Sequence, residues 1–182
     1  MSEPRIGRIL KDFAPGAGNP RNSEGAFLKR KDGTLLFVFS RFVGASDRDH
    51  ATANIAAVRS SDGGETWSEP EDLFTSAGHE AVNIMSVSLM RMRNGDIGLF
   101  YLVRKTFSDM RMILRRSADE GRTWSDFTVC MPRQGYFVVN NDRAVRLSTG
   151  RIVLPAAEHV VTRAPDGGLW YSRALSTFFL SD

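Results

Sequence analysis

Two eight-residue stretches, 60–67 (SSDGGETW) and 117–124 (SADEGRTW), fit Ser-x-Asp-x-Gly-x-Thr-Trp at every position and lie 57 residues apart. What precedes them repeats as well. Residues 25–31 (GAFLKRK) turn at Asp32-Gly33 into 34–42 (TLLFVFSRF), and 54–59 (NIAAVR) leads into the first stretch. Residues 84–93 (IMSVSLMRMR) turn at Asn94-Gly95 into 97–104 (IGLFYLVR), and 110–116 (MRMILRR) leads into the second. A third copy starts with 136–147 (YFVVNNDRAVRL), turns at Thr149-Gly150 into 151–158 (RIVLPAAE), and ends at 176–182, where Ser181-Asp182 stands at the start of another such stretch. Short alternating apolar runs bounded by Gly-containing turns are strand hairpins, and no window keeps a helical period. A four-stranded sheet has two apolar faces and buries both only by stacking on copies of itself, so this repeat predicts an all-β propeller. The expected divisions are a lead segment 1–20, a first blade 21–78, a second 79–133 and an incomplete third 134–182.

By length alone, 182 residues make one domain, and 42% hydrophobic with 25% charged residues exclude disorder. The repeat overrides the count, because three blades do not close a ring. One cysteine, Cys130, excludes an internal disulfide framework and zinc held by cysteines. No run approaches the ~20 apolar residues of a membrane helix, and the charged first residues lack the apolar core of a secretion signal. A cytoplasmic start with no membrane partner is expected. The net charge of +3 comes from 20 Arg and only 4 Lys. They cluster only at Arg115-Arg116 and at Lys29-Arg30-Lys31 on a hairpin turn, so no nucleic-acid partner is expected. Arg excess suits bidentate carboxylate recognition, although genome composition gives the same bias.

The eight-residue pattern resembles the Asp-box, or BNR repeat, of the sialidase (neuraminidase) superfamily, and the resemblance runs over 21–182. It implies a six-bladed β-propeller, with about three blades here and the remaining blades C-terminal to Asp182. It also implies that Asp62 and Asp119 are structural: a short carboxylate accepts turn amides, Gly takes positive φ, and Trp seals a joint between sheets. No cofactor or metal is implied, and Asp62-Gly63-Gly64-Glu65 lacks the alternating ligands of a calcium loop.

Chemistry is expected where first and second strands end near the axis. Arg41 ends the second strand of the first copy and precedes a loop carrying Asp47, Asp49 and His50. The resemblance makes Arg41 a ligand of a sugar carboxylate and a loop Asp the general acid/base, with Asp49 the better match and Asp47 second. The bland alternative is a pair of solvated carboxylates flanking Arg48. One departure stands out. Where sialidases carry an aromatic-Arg-Ile-Pro segment, this chain has Pro20-Arg21-Asn22-Ser23-Glu24, so Arg21 is offset and Glu24 takes its place. Glu beside a sugar carboxylate costs roughly a kcal/mol or more at an effective dielectric of ~20. Glu24 is then a second carboxylate of a glycosidase pair or a ligand of sugar hydroxyls. Asn83, and the cluster Asn140, Asn141, Asp142 and Arg143 within an apolar strand, are further sugar ligands; an Asn-Asp turn with Arg143 paired to Asp142 is the structural alternative. His159 is either axial or a packing residue.

The expected function is an exo-glycoside hydrolase removing a terminal acidic sugar, with exo-α-sialidase the nearest activity and this chain alone inactive. The partner is a glycan or glycoside. The rivals are a non-catalytic propeller that binds glycans or proteins, and a glycosidase or lyase acting on another sugar.

Overall fold

In a computed structural model describing residues 7–163 and 167–181, strands account for nearly all regular structure. The start of the lead segment and Asp182 lie outside the described residues. Strands β1 (Asn22–Lys29), β2 (Leu35–Phe42), β3 (Ala53–Ser60) and β4 (Glu71–Phe74) form one antiparallel sheet in sequence order. A single 3-10 turn, Ala77–His79, leads to β5 (Asn83–Arg91), β6 (Ile97–Thr106), β7 (Asp109–Ser117) and β8 (Thr128–Val129), paired in the same order. The third unit has β9 (Tyr136–Val138) and β10 (Val145–Arg146) on β11 (Ile152–Arg163), followed by β12 (Leu169–Leu180). A parallel bridge from Met110 to Tyr136 joins the second and third units at one point.

The expected strand over 136–147 is therefore two short strands. Asn140 to Arg143 leave the ladder, and Asp142 takes φ 54°, because this stretch bonds across to the neighbouring blade. Asn141 Oδ1 accepts from the Val87 amide at 2.9 Å, the Asp142 amide donates to Val87 O at 2.8 Å, and the Arg143 amide donates to Ser88 Oγ at 3.0 Å. No bond joins Arg143 to Asp142 among the described residues.

The first strand of every unit is interrupted at this level. Asn22 faces Arg41 while Gly25 faces Phe39, and Met85 faces Leu102 while Ser88 faces Phe100, so β1 and β5 each hold one extra residue. Such a bulge reverses which face a side chain takes beyond it. Thus Ile84 and Val87, which simple alternation would put on opposite faces, both join the core between the first two sheets. Ser86 sits at the bulge with φ 61°, its amide donating to Ser40 Oγ of the first blade.

Stacked faces make the core. Ala26, Leu28, Leu36, Val38, Ile55 and Ala57 of the first sheet meet Ile84, Val87, Leu89, Leu99 and Tyr101 of the second. Phe100, Leu102, Met110, Met112 and Leu114 on the second sheet's other face meet Phe137, Ile152, Leu154 and Ala156 of the third. Phe39, Ala56 and Val58 look away from the second sheet and are covered by Phe13, Phe37 and Trp67. None of the described residues forms a helix long and apolar enough to cross a membrane.

Candidate active site

The interrupted first strands converge on a cavity of about 330 Å³. The first blade gives Arg21, Ser23, Glu24 and Asp49, the second Met85, Ser86, Leu102, Arg104 and Met110, and the third Tyr136, Val138, Asn140 and Asn141. Bulges put Ser23–Glu24 and Ser86 on its wall, since the reversed alternation lifts them out of the apolar joint below. The loop between β2 and β3 closes one side and is held by three side chains from two blades. Arg21 Nη1 donates to Asp49 Oδ1 at 2.6 Å and to Asp47 O at 3.1 Å, while its guanidinium lies 4.5 Å from the Phe42 ring centre. Arg104 Nη1 reaches Asp49 O at 3.5 Å, and Asn83 Nδ2 donates to Ala51 O.

Of the residues singled out from the sequence, Arg21, Glu24, Asp49, Asn140 and Asn141 line this cavity. Asp49 is not partly buried as expected of a proton donor: its side chain is 76% exposed and paired with Arg21. Asp47 takes part through its carbonyl. Asn83 is fully buried and braces the loop from below, its Oδ1 without a hydrogen-bond partner among the described residues. Arg41 turns the other way. In β2 the buried alternate residues Leu36, Val38, Ser40 and Phe42 face the second blade, so Arg41 lies on the opposite face and bonds Asp72 Oδ1 at 3.2 Å, whose other oxygen accepts from Asn54 at 2.7 Å. Asp142 is exposed on its turn, and Arg143 lines a separate groove with Pro155, Ala157 and Thr177. His159 packs edge-on against Tyr136, with centroids 6.1 Å apart, behind the cavity wall.

A model of the BNR repeat-like domain matches residues 16–134. The chain belongs to that family. No curated protein sequence matches it. Among solved structures it is similar to the Hadza microbial sialidase Hz136, at 17% identity and TM-score 0.63 over 78% of this chain and 33% of that one. It is also similar to the Penicillium chrysogenum α-L-arabinanase solved with arabinobiose, at 19% identity and TM-score 0.57 over 79% and 44%. A third likeness is to the intramolecular trans-sialidase of Ruminococcus gnavus solved with oseltamivir carboxylate, at 12% identity and TM-score 0.61 over 93% and 69%. The chain thus spans a third of the first structure and less than half of the second. Its fold is the propeller of these glycoside hydrolases.

Sequence reasoning passed over one residue of this BNR repeat-like propeller that the cavity depends on. Arg104 lies near the end of β6 in the same alternation as Phe100 and Leu102, so it faces the third blade. It is 5% exposed, lies 5.6 Å from the Tyr136 ring centre, and its Nε has no hydrogen-bond partner among the described residues. Alternation along each strand puts Arg104 with the set that faces the third blade and Arg41 with the set that faces away from the second, but which set faces which neighbour is not written in the apolar runs themselves. Tyr136 was likewise overlooked as a wall residue.

A second polar cluster lies inside the first joint, away from the cavity. His79 Nε2 and Tyr101 Oη are 2.9 Å apart, Arg115 Nε donates to Tyr101 Oη at 2.9 Å, and Phe74 stacks on Tyr101 with centroids 5.6 Å apart. Burial lowers the His79 pKa and pushes Tyr101 up to about 12. The segment leading into the 3-10 turn supplies the remaining partner, with His79 Nδ1 3.0 Å from Thr75 O. Among the described residues no group of three or more His, Cys, Asp or Glu forms a metal site.

Proposed function

We propose that the cavity binds a terminal sugar residue of a glycan, and that the protein is an exo-glycoside hydrolase of the sialidase-like kind. Arg104 carries this reading: a guanidinium nine-tenths buried with an unpartnered Nε, on a cavity wall, is poised to donate to an oxygen-rich ligand. Tyr136 offers an aromatic face, Asn140 and Asn141 offer amides for hydroxyls, and Arg21 positions Asp49. Asp49 is the proton donor in this proposal and Glu24 the second carboxylate, a division of labour common among glycosidases. The solved relatives named sialidase and trans-sialidase support an acidic sugar.

Charge balance favours a second reading. Arg21 is already neutralised by Asp49, and Glu24 adds a second negative charge on the wall, so Arg21 and Arg104 face two carboxylates. A neutral sugar such as the arabinose units of the arabinanase ligand fits that balance better. Titrating the chain with methyl α-sialoside and with arabinobiose separates the two. Saturable binding of one glycoside, weakened at least tenfold by Arg104→Ala, is expected. Binding of neither, or binding indifferent to Arg104, overturns the site. Hydrolysis of aryl glycosides by the propeller completed with its remaining blades, with and without Asp49→Asn, then tests catalysis; equal measurable rates remove Asp49 from it.

A further inference from the structure

At the end of β1 opposite Ser23 and Glu24, the β1–β2 hairpin meets the 117–124 turn of the second blade. The registers fix which side chains share a face there. Leu36 pairs with Leu28 on one side and with Arg59 on the other, and both leucines belong to the core between the first two sheets, so Arg59 extends their row on the same face. Arg30 lies two residues beyond Leu28 and keeps its alternation, its amide donating to Thr34 O at 2.8 Å. Gly121 of the turn lies against this row: a side chain there would begin 3.3 Å from Leu36 Cδ2 and 3.8 Å from Arg30 Nη2. Arg122 is the next residue. The fold thus gathers in one joint three arginines that the sequence scatters.

The carboxylates nearby are already taken. Glu120 is gripped by Arg91 at 2.6 and 2.8 Å, accepts the Lys31 amide at 3.0 Å, and lies 3.4 Å from Lys31 Nζ. Asp32 accepts from the Thr34 amide and hydroxyl at 3.0 and 2.7 Å, and Glu71 lies 2.6 Å from Arg59 Nη2. Arg30 and Arg122 make no ion pair with any described residue, and Arg30 Nε is buried without a hydrogen-bond partner among them. Burial, then the Arg59 charge, hold the Arg30 pKa below its ordinary value; Arg122 adds to this, while Asp32 and Glu120 oppose it. Guanidiniums crowded in this way repel one another unless an anion lies between them.

We propose that Arg30, Arg59 and Arg122 form a seat for a tetrahedral oxyanion, the phosphate or sulfate of a free ion or of a sugar ester. Three planar forks from two blades suit a group whose oxygens spread about one centre, whereas a single fork satisfies both oxygens of a carboxylate. Both sheets of this joint are complete, and the seat does not depend on what the cavity at the other end of β1 binds. The test follows the arginine Nε–H signals of the whole chain by ¹⁵N NMR as inorganic phosphate, glucose 6-phosphate or acetate is added. Saturable shifts of Arg30 and Arg122 with phosphate are expected, weakened about fivefold or more by Arg122→Ala and unchanged by Arg104→Ala. Arg122 is exposed, so its replacement leaves folding intact. Tighter binding of glucose 6-phosphate than of phosphate names a sugar ester as the source, and equal or weaker binding names the free ion; either supports the seat. Absence of saturation, indifference to Arg122→Ala, loss with Arg104→Ala, or acetate binding as tightly as phosphate overturns the assignment.

Discussion

The turns at 60–67 and 117–124 share a pattern and, through the bonds of their Ser, Asp, Gly and Thr, a conformation. In each, the Asp accepts from the Thr amide at 2.9 or 2.8 Å and from the Thr hydroxyl at 2.6 Å, and the Ser hydroxyl accepts from the Gly amide at 2.9 or 2.7 Å. Their surroundings differ. Trp124 enters the joint between two sheets, with its indole nitrogen unpartnered among the described residues. Trp67 caps the first sheet's outer face beside Phe27 and Phe37, its indole nitrogen donating to Gly64 O at 2.9 Å. At the position after the Asp, the first turn has Gly63 at φ 77°, whereas the second has Glu120 held at φ 62°, a conformation that costs a non-glycine residue. The Arg91 and Lys31 contacts offset that cost. Local chemistry builds the turn, and the adjoining sheet decides whether it also ties two blades together.

The comparison is most easily broken at the tryptophans. Trp124→Ala should cost about 3 kcal/mol in urea unfolding and Trp67→Ala about half of that, because only the former leaves a void between two sheets; equal losses would show that the joint adds nothing. Glu120→Ala should cost about 1 kcal/mol, its ion pair with Arg91 being bidentate and mostly buried. Restoring the first turn's glycine at this position, Glu120→Gly, should recover part of that loss by relieving the positive φ. Acid sharpens the comparison further. Hydrogen bonds from Thr66 hold Asp62 down to about 2, and those from Thr123 hold Asp119 lower still. Each carboxylate's contribution is complete above pH 4 and is lost as pH falls through its folded value, so ¹³C carboxyl titration should show the first turn protonating before the second. The smallest effect concerns the joint alone. Burial lowers His79, so its neutral form favours the fold and stability should decline as pH drops below about 6.5. His79→Gln should flatten that slope while leaving the titration of Asp62 unchanged.

Sheets and their order were legible because the signals are local: alternation, a Gly turn and a motif within eight residues. Arg21, Glu24, Asp49 and Asn141 were legible as polar residues near strand ends. Arg41 was misplaced because an apolar run such as 35–39 hides which alternate set faces which neighbour, and Arg104 was missed for the same reason. The break in the third blade's first strand was unreadable because its cause, the Val87 and Ser88 backbone and hydroxyl, sits some 55 residues earlier in the chain.

The extra residue in β1 and again in β5 has a consequence for how such a protein changes over time. Below the bulge, each first strand is committed to stacking, and a substitution there disturbs two sheets at once. Above it, the reversed alternation frees the same strand from that duty. Residues such as Ser23, Glu24 and Ser86 can therefore be exchanged to suit a new ligand without renegotiating the architecture beneath, so one scaffold can diversify its chemistry at little risk to its folding.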